Sequence, residues 1–268
     1  MNDPLTLASK LFDRNLVKIN VVLRPETDFA WRSEIYTVQD LDQDEKCVYK
    51  TRLVNPFELL DIETVLTKLS KDPIQHLCPI IAFRLFNHRI HLLLRYIEGV
   101  SLDHLHDKYW NNEPSFRDYL ESLSWLTKIE IAYQLIESLC ELHDRKLLFQ
   151  DIKIDQLILT PNNSIVIIDL DTIVFKDSQY ANRVSWQSPA YPHPHCNCCE
   201  SNDIYQAGQL IYELFTGRHL SNSKEAIIPR ELDELIQKMA NHSQEQSFCT
   251  SRGVLFALTR IKERYSTL

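Results

Sequence analysis

The feature that most limits how this chain can fold is a change in apolar spacing near Gly99. From Phe29 to Arg95 the runs "EIYTVQDL", "KCVYKTRLV", "IIAFRLF" and "RIHLLLRYI" read as β-strands, and the acidic "QDLDQDEK" connects the first two as a hairpin. One segment interrupts them. In "NPFELLDIETVLTKLSK", Leu59, Leu60, Ile62, Leu66 and Leu69 recur at helical spacing, with Asn55 and Pro56 as a suitable start. After Gly99 helices take over. "SLSWLTKIEIAYQLIESLCELHDRK" carries Leu126, Ile129, Tyr133, Ile136, Leu139, Cys140 and His143 along one face. "SNDIYQAGQLIYELFTGR" is apolar almost all round, as a buried helix is, and Gly217 stands at its end as a C-cap. "PRELDELIQKMA" and "GVLFALTRIKERY" add two more helices. Strands first and helices second predict an α+β chain of two lobes with a cleft between them, a common place for a ligand.

The chain has 268 residues, 44% of them hydrophobic, enough for two proper cores. A formal net charge of −8 argues against nucleic acid or an anionic membrane surface as partner. No apolar run reaches the roughly 18 residues of a membrane span. The opening "MNDPLTLASKLFDRN" has neither the basic nor the apolar region of a secretory signal. Seven cysteines, an odd number and mostly isolated in apolar runs, point to a reducing, cytoplasmic compartment. The 4 glycines are Gly99, Gly208, Gly217 and Gly253. That is far below the usual share of roughly 7%, so a glycine-rich phosphate loop near the N-terminus is not to be expected.

The stretch "LLFQDIKIDQLILTPNNSIVIIDLDTIVF", Leu147 to Phe175, holds the polar groups best placed for chemistry. Asp151, Lys153 and Gln156 lie between two apolar runs, and Asp169 closes the second. A lone strand lysine is ordinarily a solvated edge residue, and an Asp at a strand end ordinarily starts a turn. A carboxylate flanked by apolar residues needs a stronger reason, because burying its charge is costly.

These residues resemble the motifs of a eukaryotic-type protein kinase, over about Phe29 to the C-terminus. "FQDIKIDQLIL" is similar to the catalytic loop HRDxKxxN, "IVIIDLD" to the strand ending in DFG, and "SWQSPA" to the APE segment. "SNDIYQAGQLIYELFTG" matches the buried helix that follows, "HLLLRYIEGVSL" the last N-lobe strand and hinge, and "CVYK" the VAIK strand. Glu63 falls where the family's helix glutamate belongs. The resemblance implies a bilobal protein kinase-like fold: a small β-rich N-lobe with one main helix and a larger α-helical C-lobe. The expected limits are 1–22 for an N-terminal extension, 23–94 for the N-lobe and 95–268 for the hinge and C-lobe.

The resemblance also implies ATP and Mg2+, because phosphoryl transfer depends on positioning and charge neutralisation. Lys50 would hold the α- and β-phosphates and be held by Glu63. Asp151 would take the substrate hydroxyl proton, with Lys153 against the γ-phosphate. Asp169 and Gln156 would hold magnesium. Ile35 and Val48 would lie above the adenine, Ile158 below it and Leu94 behind it, with the backbone of Arg95 and Ile97 at its edge. Asp203 would brace the catalytic loop by accepting backbone N–H bonds.

Departures from the pattern matter as much. "DFAWRSEIYTV" stands where the glycine loop belongs, and Trp31, Arg32 and Ser33 cannot bring backbone amides to phosphates in the same way. Gln156 replaces the metal-binding Asn with a stem one methylene longer. Asp171 replaces the DFG glycine, and Phe149 and Gln150 replace the His and Arg of HRD. Ala190 replaces the APE glutamate, leaving Arg252 without an evident mate. "HPHCNCCE" gathers His193, His195, Cys196, Cys198 and Cys199, ligand types that suit zinc, but no second paired element accompanies them. A surface loop with incidental thiols is the alternative.

Three readings result. The chain is a divergent protein Ser/Thr kinase, for which Lys153 is the family's Ser/Thr-type feature, acting on a protein substrate. Or it is a pseudokinase, a nucleotide-sensing or scaffolding module for a partner protein. Or, least in keeping with Lys153, it is a small-molecule kinase.

Overall fold

The computed structural model describes residues 4–23, 33–55, 59–102, 120, 122–178, 199–217, 228–240, 248 and 250–266. It divides into two compact units: Met1–Pro73 with Cys78–Ile97, and Ile74–Leu77 with Glu98–Leu268. The first is built on a sheet and the second mainly on helices, the mixed α+β composition of a kinase-like fold.

In the first unit a helix α1 (Pro4–Phe12) precedes strands β1 (Leu16–Leu23), β2 (Glu34–Asp40) and β3 (Glu45–Leu53). Helix α2 (Leu59–Lys71) follows, then β4 (Ile80–Phe86) and β5 (Arg89–Arg95). The strands form an antiparallel sheet in the order β1-β2-β3-β5-β4. Strand alternation sorts its side chains between two faces. One face carries Tyr36, Val38, Cys47, Tyr49 and Leu93, which pack with Leu5, Ala8 and Phe12 of α1 and Leu16 in one core. Tyr36 stacks on Tyr49 at 5.9 Å, and Phe12 meets Tyr49 edge-on at 6.4 Å. Residues 4–23 are thus built into this unit. Arg14 also ion-pairs with the fully buried Asp40.

Burial has chemical consequences on the Tyr49 face. The Tyr49 hydroxyl and His91 Nδ1 lie 2.8 Å apart. Burial, and then Arg89, lowers the His91 pKa below its usual 6.5. Burial pushes the Cys47 thiol up to about 11 and the Cys78 thiol up to about 12. Both cysteines are free, as is Cys140.

The second unit begins its regular structure with β6 (Val100–Ser101) and α3 (Trp125–Asp144). Ser124 caps α3 by accepting the Thr127 N–H at 3.1 Å. Short strands β7 (Leu147–Leu148), β8 (Leu157–Leu159), β9 (Ile165–Ile167) and β10 (Val174–Phe175) follow, with 3-10 turns at Ile154–Gln156 and Leu170–Thr172. Helices α4 (Glu200–Thr216), α5 (Arg230–Met239) and α6 (Ser251–Ser266) complete it. Helix α3 packs on α4 and α6, and α4 on α5. Gly217 ends α4 as expected, left-handed at φ 64, with its N–H on Glu213 O at 2.7 Å. Gly99 leads into β6, where a Cβ would stand 2.4 Å from Leu159 O, so only glycine fits. Among the described residues no helix is long and apolar enough to cross a membrane.

Candidate active site

The strand register of the first unit places several expected nucleotide contacts together. Ile35 is opposite Lys50 and Lys50 opposite Leu92; Thr37 is opposite Val48 and Val48 opposite Leu94. Ile35, Val48, Lys50 and Leu94 therefore share the sheet face turned away from α1. Lys50 is 6% exposed and Leu94 5%, with Ile35 and Val48 half-buried. The Arg95 N–H is taken by Pro79 O at 3.0 Å, and its carbonyl lies 3.6 Å from Cys78 Sγ. Ile97 is half-buried just beyond β5. Glu63 lies on the exposed side of α2, opposite the buried Ile62, Val65, Leu66 and Leu69, and makes no ion pair among the described residues.

In the second unit the loop after β7 is held from beneath by α4. Asp203, fully buried in the first turn of that helix, accepts the N–H of Phe149 on Oδ2 and of Gln150 on Oδ1, both at 2.8 Å. One turn on, Gln206 Oε1 accepts the Ile152 N–H at 2.9 Å. His143 Nε2 lies 2.9 Å from Asp203 Oδ2, and its Nδ1 2.9 Å from Ser251 Oγ. A carboxylate only accepts, so Nε2 carries a proton. A buried carboxylate with three donors has its desolvation offset. The brace expected of Asp203 is present. His143 and Gln206 join it, though only their helix positions hinted at them.

Above this support sit the polar groups of the loop. Lys153 Nζ lies 3.6 Å from Asp151 Oδ2 and 3.4 Å from Asp155 Oδ2. Gln156 Nε2 donates to Asp151 Oδ2 at 3.2 Å. Burial pulls the Lys153 pKa down, but the two carboxylates outweigh it and the net shift is upward. Lys153 therefore remains an ammonium at neutral pH. Pairing of Leu157 with Ile167, and the Ile168 N–H on Gln156 O at 2.9 Å, bring Gln156 and Asp169 to one end of the β8–β9 hairpin. Ile158 is half-buried within β8.

Two backbones here are strained. Gln150 and Asp169 both have left-handed φ, 69 and 72, and neither is glycine. Such conformations cost of order 1 kcal/mol or more and persist where surroundings over-determine them. At Gln150 the bond to Asp203 does so.

As for magnesium, Gln156 is 3% exposed and its Oε1 has no hydrogen-bond partner. A buried amide oxygen without a donor is a fitting ligand for a hard cation, and Asp169 shares its hairpin end. Among the described residues no group of three or more His, Cys, Asp or Glu forms a metal site. Of the "HPHCNCCE" cluster, His193, His195, Cys196 and Cys198 lie outside the described residues, as do Trp31, Arg32 and Ala190. Cys199 is described, disulfide-bonded, at the N-cap of α4. One expectation is corrected: Arg252 does have a mate, since its guanidinium forks onto Asp144, with Nε 3.1 Å from Oδ1.

No family model matches the chain. It is 27% identical to receptor-like kinase LIP2 of Arabidopsis thaliana over 47% of this chain and 24% of that protein. It is 23% identical to serine/threonine-protein kinase PknD of Chlamydia abortus, over 67% of this chain and 22% of the relative. A probable serine/threonine-protein kinase of Dictyostelium discoideum is 26% identical over 48% of this chain and 25% of its own length. The chain is protein kinase-like. It spans about a quarter of the length of these curated relatives. The segment that resembles the family's catalytic loop is the one that α4 holds in place. Asp155, one residue from Gln156, was not among the expected site residues. Its distance from Lys153 in the chain, only two residues, was the available signal.

Proposed function

We propose that the chain is a divergent protein kinase that transfers the ATP γ-phosphate to Ser or Thr hydroxyls of a protein substrate with magnesium. The observation that carries this is the Asp151 carboxylate, joined to Lys153 and Gln156 on a loop whose N–H groups are fixed by Asp203 and Gln206. Asp151 accepts the substrate hydroxyl proton, and Lys153 meets the negative charge that develops on the phosphoryl oxygens. Lys50 binds the α- and β-phosphates. Ile35, Val48, Leu94 and Ile158 enclose the adenine, and the backbone of Arg95 and Ile97 meets its edge. Asp169 and Gln156 would hold Mg2+, which neutralises phosphate charge when bound.

The test is label transfer from ATP by the purified chain, to itself or a generic protein substrate, with magnesium or manganese. Wild type should transfer label, and Asp151→Asn, Lys50→Met and Asp169→Ala should each lose it. Equal transfer by wild type and all three variants, or none by any, overturns the catalytic reading.

A second reading is favoured by Glu63, which is exposed and makes no ion pair among the described residues. The chain is then a pseudokinase that binds nucleotide or a partner protein without turnover. A nucleotide at 100 times its dissociation constant adds about 2.7 kcal/mol of stability. A thermal shift with ATP and magnesium, without label transfer, supports this reading. No shift with any nucleotide leaves a scaffold.

A further inference from the structure

We propose that Asp155 is a positioning residue, which fixes the ammonium of Lys153 beside Asp151 by ion-pairing to it as a second carboxylate. The proposal rests on the assignment of Asp151 and Lys153 as the catalytic pair. Local backbone geometry brings the three groups together. Lys153 is extended (φ −156, ψ 163) and caps the 3-10 turn Ile154–Gln156. Asp155 is the middle residue of that turn, two positions after the lysine. The ammonium ends 3.4 Å from Asp155 Oδ2 and 3.6 Å from Asp151 Oδ2, the closer carboxylate being that of Asp155.

A second anchor has a physical purpose. A lysine stem has four rotatable carbons and presents a point charge with no built-in direction. With Asp151 as its only partner, the ammonium could follow that carboxylate through every rotamer. Asp151 is itself tied by Gln156 Nε2 at 3.2 Å. Asp155 completes a chain of contacts, Asp155 to Lys153 to Asp151 to Gln156, in which each member limits the next. The Asp155 side chain is 35% exposed and that of Asp151 15%. Solvent therefore screens the Asp155 pair, and its effect is a few-fold one rather than an all-or-none one.

The test uses the full chain and needs no catalytic activity for its primary readout. Lys153 is acylated by a small activated ester at fixed pH, and the modified peptide is quantified by mass spectrometry. Asp155→Asn should raise the Lys153 rate roughly 2- to 5-fold, and Asp155→Glu should restore it. Lysines away from the loop, such as Lys238, serve as internal references, and circular dichroism confirms folding. In label-transfer kinetics Asp155→Asn should lower kcat and leave the KM for ATP unchanged. A wild-type acylation rate in Asp155→Asn overturns the proposal, whatever the transfer assay gives. A raised rate that Asp155→Glu reverses, with no label transfer by wild type, upholds the hold on Lys153 and overturns the catalytic reading instead.

Discussion

The backbone N–H of Gln150 donates to Asp203 Oδ1 at 2.8 Å across 53 residues of sequence. Both residues are almost wholly buried, and Gln150 is held in the left-handed region. A helix carboxylate thereby sets the conformation of the loop that carries Asp151. The bond lies within the second unit and links its first helix turn of α4 to the candidate chemistry.

Asp203→Ala leaves two buried N–H groups and the His143 Nε2–H without their acceptor. Removal of one member of a buried charged network costs about 3–5 kcal/mol. Urea unfolding should show that loss. His143→Ala, which removes one donor but leaves both loop bonds, should cost less. Equal losses would mean that the loop N–H bonds are not what Asp203 chiefly supports.

Phe12→Ala tests whether the N-terminal helix belongs to the fold. Phe12 is 7% exposed and meets Tyr49 edge-on. Its truncation should destabilise the chain by about 3–5 kcal/mol in denaturant titration. A loss of a few tenths of a kcal/mol would make α1 a peripheral attachment.

Gly208→Ala sets two effects against each other. Alanine in a helix interior gains about 1 kcal/mol over glycine. At this position, however, a Cβ would stand 2.8 Å from Met239 Cβ on α5. Overpacking costs about 1–3 kcal/mol, so the net change should be destabilising. The double variant Gly208→Ala with Met239→Gly, which removes that Cβ, should be less unstable than the two single losses added together. Strict additivity would remove the proposed clash.

His91 gives the stability a sign with pH. Its folded pKa lies below 6.5, so the fold keeps the ring neutral. As pH falls below 6.5 the unfolded chain takes up a proton first, and stability declines until the folded pKa is passed. Urea midpoints measured between pH 7.5 and pH 5 should fall for wild type. They should fall less for His91→Asn, in which position 91 carries no imidazole to titrate.

What could be read in advance follows how local each signal is. Helix α4 and its Gly217 cap were legible because apolar periodicity and a left-handed glycine occupy adjacent residues. Asp203 could be placed as a brace because the motif around it is continuous. The pair Arg252–Asp144 spans 108 residues, and no local pattern announces it. β1 was hidden for another reason. It is an edge strand whose Val17, Ile19 and Val22 are exposed, so its apolar residues do not alternate as those of a half-buried strand do. Register shifts at two points along β1 blur the period further. The exposure of Glu63 depends on how α2 is rotated about its axis, which spacing alone leaves open.

Residues Ile74–Leu77 belong to the second unit although the chain on both sides belongs to the first. Leu77 bridges to Ile167, the Ile167 N–H donates to His76 O at 2.6 Å, and Ser138 Oγ lies 3.3 Å from Gln75 O. The chain thus passes three times between the two units. A gene fragment cut at residue 97 would carry off the short strip against which β9 rests, so neither half is a natural unit of expression. A replacement of the sheet-bearing unit would therefore have to leave Ile74–Leu77 with the helical one.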